Sequence, residues 1–188
     1  MSYREQIDAY YDRLKTTMDQ IDRGEIEKAM LALKEARDNK HYVFIMGNGG
    51  SASTASHFAG DFNKGLSLNR EKRFRFVCLN DNAATVLSLA NDVAYEAIFV
   101  EQLKNFLSDG DIVMAISGSG NSKNVINAVE YAKQRGNTVI GLSGFDGGKL
   151  KPLSDIQLHI PINDMQVVED LHMVFDHLMM SILYKEQS

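Results

Sequence analysis

Cysteine is almost absent from this chain of 188 residues: Cys78 stands alone. A single thiol cannot close an intrachain disulfide. Its place inside an apolar run reads as a small buried hydrophobe, so a reducing cytoplasm is the expected location. Proline is nearly as scarce, with two residues, so few helices are interrupted. Positive charge is not in excess either: 20 Lys and Arg stand against 25 Asp and Glu, a formal net charge of −5. That balance leaves no electrostatic footprint for nucleic acid or an anionic membrane, and an anionic ligand would have to be held by a local device. No stretch approaches the roughly 18 apolar residues of a membrane span. The opening MSYREQIDAYYDR has no apolar stretch of the signal-peptide kind. Neither an internal repeat nor a low-complexity segment occurs. The length suits one domain over 1–188, expected to be soluble.

What is present starts with helical periodicity. Ile7, Tyr11, Leu14, Met18 and Ile21 recur at alternating spacings of four and three, a narrow seam on one helix face. Gly24 interrupts it, and Ile26, Ala29, Met30, Leu33 and Ala36 mark a second helix ending near Asn39. Residues 1–40 therefore read as a helical arm, which packs on the domain's own core, on a partner subunit, or on both. From residue 42 the pattern changes. Continuous apolar runs at 42–46, 75–79, 112–116, 138–142 and 156–160 alternate with helical patterns at 52–63, 83–107 (two helices), 122–135 and 166–184. Strands without polar alternation, separated by helices, imply a parallel sheet buried on both faces. The expected fold is α/β, a three-layer αβα sandwich around a five-stranded parallel sheet of flavodoxin-like type. Residues 64–73 are polar and basic and read as a flexible loop.

In such a sheet ligands bind beyond the carboxyl ends of the strands. Two loops fall there: Gly47-Asn48-Gly49-Gly50-Ser51 after the first strand, and Ser117-Gly118-Ser119-Gly120-Asn121-Ser122 after the third. Each leads directly into a helix. Glycines permit tight turns and close approach of backbone to ligand, while hydroxyls and helix-start amides donate to an oxyanion. Taken singly, each loop is also what a glycine turn with a serine N-cap looks like; two at one sheet edge favour a phosphate site. The first loop fits a dinucleotide fingerprint as well, Gly47-x-Gly49-x-x-Ala52 with Asp81 after the second strand. That reading leaves the serine loop unused, so no nucleotide cofactor is expected.

These motifs resemble the sugar isomerase (SIS) superfamily, and within it the bacterial sedoheptulose-7-phosphate isomerase family. GNGGSASTASHFAGDF at 47–62, AND at 90–92, SGSGNS at 117–122, LSGFDGGKL at 142–150 and EDLHMVFDH at 169–177 stand in that family's order across essentially the whole chain. The resemblance implies interconversion of sedoheptulose 7-phosphate and glycero-manno-heptose 7-phosphate through an enediol. It also implies a homotetramer with active sites at subunit interfaces. By the family pattern Ser117, Gly118, Ser119 and Ser122 bind phosphate. Asn48, Gly49, Gly50 and Ser51 meet the sugar, with Asp92 at its hydroxyls and Glu169 also on the substrate side.

An enediol shift needs a base to take a proton and an acid to return one. His57 and Asp61 are four apart on the helix leaving the first loop, and share a face. Glu169 and His177 are eight apart on the last helix, two turns along one side. The resemblance makes Asp61 and His177 the catalytic pair and implies zinc at His57, Asp61, Glu169 and His177. On its own residues, His177 also reads as a core histidine of a very apolar helix, and His172 and Asp176 read as residues of that helix's other face. Four departures from the family are legible. Asp61 replaces its glutamate, Glu169 its glutamine, and Gly65 its arginine, with Lys64 adjacent; the family's aspartate near Gln166 is also missing. An alternative to catalysis is a non-catalytic SIS protein that binds the replication initiator or senses a sugar phosphate.

Overall fold

The computed structural model describes residues 1–186. The expected domain over 1–188 extends past them by Gln187 and Ser188, which lie outside the described residues.

Each helix of the N-terminal arm starts on a side chain suited to hold it. Helix α1 (Tyr3–Gln20) opens on Ser2 in a reciprocal capping box with Glu5. Helix α2 (Arg23–Asp38) opens on Asp22, whose carboxylate accepts the N–H groups of Gly24 and Glu25. The two helices differ in burial, although Tyr10, Leu14 and Ile21 also pack against the core. In α2, Ile26, Ala29, Leu33 and Ala36 are buried in the core. In α1 only Thr17 is buried, and Ile7, Tyr11 and Met18 of the seam stand exposed at 52%, 57% and 43%.

Five strands follow: β1 (Val43–Met46), β2 (Phe76–Cys78), β3 (Ile112–Ser117), β4 (Thr138–Ser143) and β5 (Ile156–His159). They form one parallel sheet in the order β2-β1-β3-β4-β5. Alternate residues feed opposite cores, which is why the strand sequences show no polar alternation. Val43 and Ile45 join the core under α2, α3 (Gly50–Gly60) and α8 (Met165–Glu186). Phe44 and Met46 join the other, under α5 (Val100–Phe106), α6 (Lys123–Gln134) and the short α7 (Leu150–Leu153). The expected three-layer sandwich is the observed one, with α4 (Ala83–Asp92), which has no buried residue, lying outermost.

Residues 64–67 depart from the flexible loop expected over 64–73. A π-helical turn over Asp61–Gly65 continues α3, and Leu66 and Ser67 are buried. The Ser67 hydroxyl donates to the Phe62 carbonyl at 2.8 Å and accepts the Phe74 N–H at 2.9 Å. A serine that replaces backbone pairing from inside the core leaves no apolar signal in the sequence.

Candidate active site

The two loops meet at the carboxyl edge. Asn48 and Asn124 form a reciprocal amide pair, each Nδ2 donating to the other's Oδ1 at 2.9 Å. The Tyr95 hydroxyl donates to Asn48 Oδ1 at 2.8 Å, which ties in the segment after α4. Ser117 Oγ donates to Ser122 Oγ at 3.1 Å, and Ser119 is exposed at the mouth. Neither loop leads into a side-chain-capped helix, a trait shared with α5 and α7. Where α1, α2 and α4 are capped by Ser2, Asp22 and Asn82, the starts of α3 and α6 have no side-chain cap. The N-cap of α3 is Gly49 at φ +54°, and Ser122 keeps its hydroxyl off its own helix. Uncapped first-turn amides carry the helix's positive end into the site.

Glu169 lies against the start of α3. A Cβ placed on Gly50 would lie 2.7 Å from Glu169 Oε2, so only glycine lets that carboxylate sit there. The serine loop and the start of α6 offer hydroxyls and amides of the kind that suit a phosphate. Ser51 is buried beneath the first loop. Asp92 ends α4, exposed, accepting from Asn91 Nδ2 at 2.7 Å.

Two turns down α3, a second constellation forms between α3 and α8. His57 Nε2 and His177 Nε2 stand 3.1 Å apart. Asp61 Oδ2 is 3.6 Å and Asp176 Oδ2 3.9 Å from His57 Nε2. One ligand atom from each of His57, Asp61, Asp176 and His177 lies within 4.8 Å of the others. His177 is exposed and therefore no core histidine. Asp176 is fully buried, with neither carboxylate oxygen hydrogen-bonded. Burial, aided by the charge of Asp61, pushes its carboxyl up to about 7.

The buried imidazole of α8 is His172, 1% exposed and with no partner on either ring nitrogen. Burial drives its pKa from 6.5 down to about 4, helped by His159 and opposed by the Ser143 backbone. The sign follows from linkage: the unfolded chain takes a proton near pH 6.5 that the folded chain refuses until about 4. The contribution of neutral His172 is therefore whole above pH 6.5 and is lost as pH falls toward 4. This group alone removes about 3 kcal/mol over that interval. His172→Leu is expected to be less acid-sensitive by that amount, measured by urea denaturation at pH 7 and pH 4.5.

His172 and Asp176 thus correct the expectation that they lie on the helix's other face. Val168, Leu171, Phe175, Met179 and Leu183 are buried at the same three-four spacing, and both polar residues fall on that stripe. That spacing was a usable signal. Asn124 and Tyr95, by contrast, lie 76 and 47 residues from their partner Asn48 and gave no local sign. The 144–149 segment was part of the motif pattern but carried no assigned role. It braces the serine loop: the Gly144 N–H donates to the Gly118 carbonyl at 2.8 Å, and the Leu150 N–H to the Gly120 carbonyl at 2.9 Å.

Known proteins share this sequence pattern and fold. The SIS domain family profile matches residues 3–144. A phosphoheptose isomerase of Aliarcobacter butzleri is 36% identical over 163 residues, covering 87% of this chain and 86% of that protein. One from Helicobacter pylori strain P12 is 35% identical over 171 residues, covering 91% and 88%. Among solved structures, the phosphoheptose isomerase of Neisseria gonorrhoeae superposes with a TM-score of 0.88 at 28% identity, covering 97% of this chain and 98% of that one. That of Francisella tularensis gives 0.89 at 26%, covering 98% and 100%.

Proposed function

This chain belongs to the SIS domain family, and we propose that it is an aldose–ketose isomerase converting sedoheptulose 7-phosphate to D-glycero-D-manno-heptose 7-phosphate. The observation that carries this reading is the layout of the site along α3. The first loop is tied to the serine-loop helix by Asn48 and Asn124 at one end, and His57 of the His57–His177 cluster lies seven residues beyond Gly50, where α3 starts. Seven residues of helix are about 10 Å. An extended seven-carbon chain with its phosphate ester also spans about 10 Å by ordinary single-bond lengths. A sugar phosphate laid along α3 from the loop end would bring its C1–C2 end to the cluster.

Ser117, Ser119, Ser122 and the amides opening α6 hold the phosphate. Asn48, Ser51 and Asp92 orient hydroxyls along the chain. At the far end His57, Asp61 and His177 all have open surface, and the family pattern assigns proton transfer to Asp61 and His177. They form the proton-transfer pair: one removes the proton from C1 of the ketose, giving the enediol, and a proton returns to C2 as the C1 oxygen becomes the carbonyl. Asp61, a methylene shorter than the glutamate it resembles, is brought to the cluster at the junction of α3 with its π turn.

The donor set fits zinc. Two imidazole nitrogens and carboxylate oxygens suit that ion. Donors around a tetrahedral zinc with bonds of about 2.0–2.1 Å stand about 3.3 Å apart, against the 3.1 Å between the two Nε2 atoms. His57, Asp61 and His177 would hold it, and a bound ion supplies Lewis-acid polarisation of the sugar carbonyl. The exposed seam of α1 supports a homotetramer. The buried free thiol of Cys78 supports a cytoplasmic setting. Among the described residues no helix is long and apolar enough to cross a membrane.

The test is direct: purified protein is given sedoheptulose 7-phosphate, with and without zinc, and the aldose is followed by NMR. Product is expected, and no turnover under any metal condition would remove the reading. Ser119→Ala should raise KM by roughly 10–100-fold, the worth of one hydrogen bond to a charged group, with kcat changed far less.

A further inference from the structure

We propose that Asp176 is the fourth protein ligand of this zinc site and that Glu169 is not a ligand. The inference rests on the zinc reading above and concerns residues of this chain that the family pattern does not assign to the metal. Asp176 is 0% exposed, and both of its oxygens lack any hydrogen-bond partner. A carboxylate so placed is costly unless a cation or donor meets it. What it faces is His57, 3.9 Å from its Oδ2 to Nε2, within the compact group it forms with Asp61 and His177. A second carboxylate in the same group makes the bare arrangement worse by like-charge repulsion, whereas a divalent cation is neutralised by the two. Water cannot solvate either Asp176 oxygen, because each is buried.

Glu169 lies elsewhere. Its carboxylate is against Gly50 at the start of α3. Along α8 it is eight residues, about 12 Å, from His177. Asp176 and His177 are consecutive, about 100° apart around the helix, and reach one point, one buried and one exposed. The result is a site of two imidazoles and two carboxylates, with Asp176 a buried ligand that substrate cannot touch.

The experiment measures zinc affinity by competition with a chromophoric chelator. It uses the full chain, its Asp176→Asn, Asp176→Leu and Glu169→Ala variants, and the cobalt-substituted forms of each. Asp176→Asn should weaken zinc binding by more than about 100-fold, beyond the roughly 10–100-fold that an outer hydrogen-bonding partner is worth, and should alter the visible cobalt bands. Glu169→Ala, which removes the donor altogether, should leave the affinity loss below about 10-fold and the bands unchanged. Asp176→Leu guards against a variant that does not fold: its metal-free form should melt above wild type, and zinc should no longer raise its Tm. Wild-type affinity in Asp176→Asn or Asp176→Leu overturns the proposal, as does a larger loss of affinity in Glu169→Ala. A wild type that binds no zinc also overturns it. Turnover of sedoheptulose 7-phosphate by the same wild-type sample decides the isomerase reading separately.

Discussion

His177→Ala is expected to lower kcat for sedoheptulose 7-phosphate by about 10²–10⁴-fold, the usual worth of a positioned proton-transfer group, with the fold intact. The stability half of that expectation follows from exposure. His177 is on the solvent side of α8, where truncation to alanine lies within about 0.5 kcal/mol. The kinetic half follows from position. His177 shares a 3.1 Å contact with His57, and Asp61 is the carboxylate beside them with open surface. The serine loop is no part of this cluster, so KM should move by only a few-fold. Asp61→Asn, which keeps the shape and removes the base, should show the same signature. Full rate in either variant, measured by NMR of product, would show that the roles belong to other residues.

The sheet was legible because burial on both faces leaves a mark that survives in one dimension: runs such as Ile112–Ser117 with every residue buried. The two candidate loops were legible because glycine and serine cluster at the ends of two strands, though each alone also fits a capped turn. The contacts that assemble the site were less so. Asn48 and Asn124 are ordinary amides in the sequence, and their pairing exists only once β1 and β3 have become neighbours in the sheet. Asp176 shows a different limit. Its helical phase placed it among Leu171, Phe175 and Met179, but a carboxylate on an apolar stripe contradicts the ordinary rule for burial. Such a conflict between local pattern and burial marks a functional position. Glu169, grouped with His177 by periodicity and family pattern, shares a helix side with it; the distance along the axis separates the two.

The serine loop also rests on backbone that no side chain replaces, and Gly120→Ala is expected to be the most damaging small substitution in the chain. Gly120 has φ +66°, which costs a residue with a Cβ about 1–2 kcal/mol. The added carbon would also lie 2.0 Å from the Gly147 carbonyl oxygen and 2.5 Å from its carbon, and neither is the flexible end of a side chain. Relief requires the 144–149 segment to withdraw. That segment donates the Gly144 N–H to Gly118, while Asn121 accepts the Lys149 N–H and donates to the Ser119 carbonyl. Withdrawal therefore unbraces the loop as well as relieving the clash, for a combined loss on the order of 4 kcal/mol. Gly60→Ala supplies the contrast: Gly60 has φ −64° at the end of α3, with nothing within 4 Å of a new Cβ. It should be neutral or more stable by about 0.4–1 kcal/mol through the unfolded chain's lost entropy. Urea denaturation of the two variants checks the energies, and substrate saturation kinetics check the site. Gly120→Ala should bind sugar phosphate far more weakly than Ser119→Ala, because losing one hydroxyl leaves the remaining donors in place, whereas moving the loop displaces Ser117, Ser119 and Ser122 together. Equal stability of the two glycine variants would mean that the brace between the two loops yields at little cost.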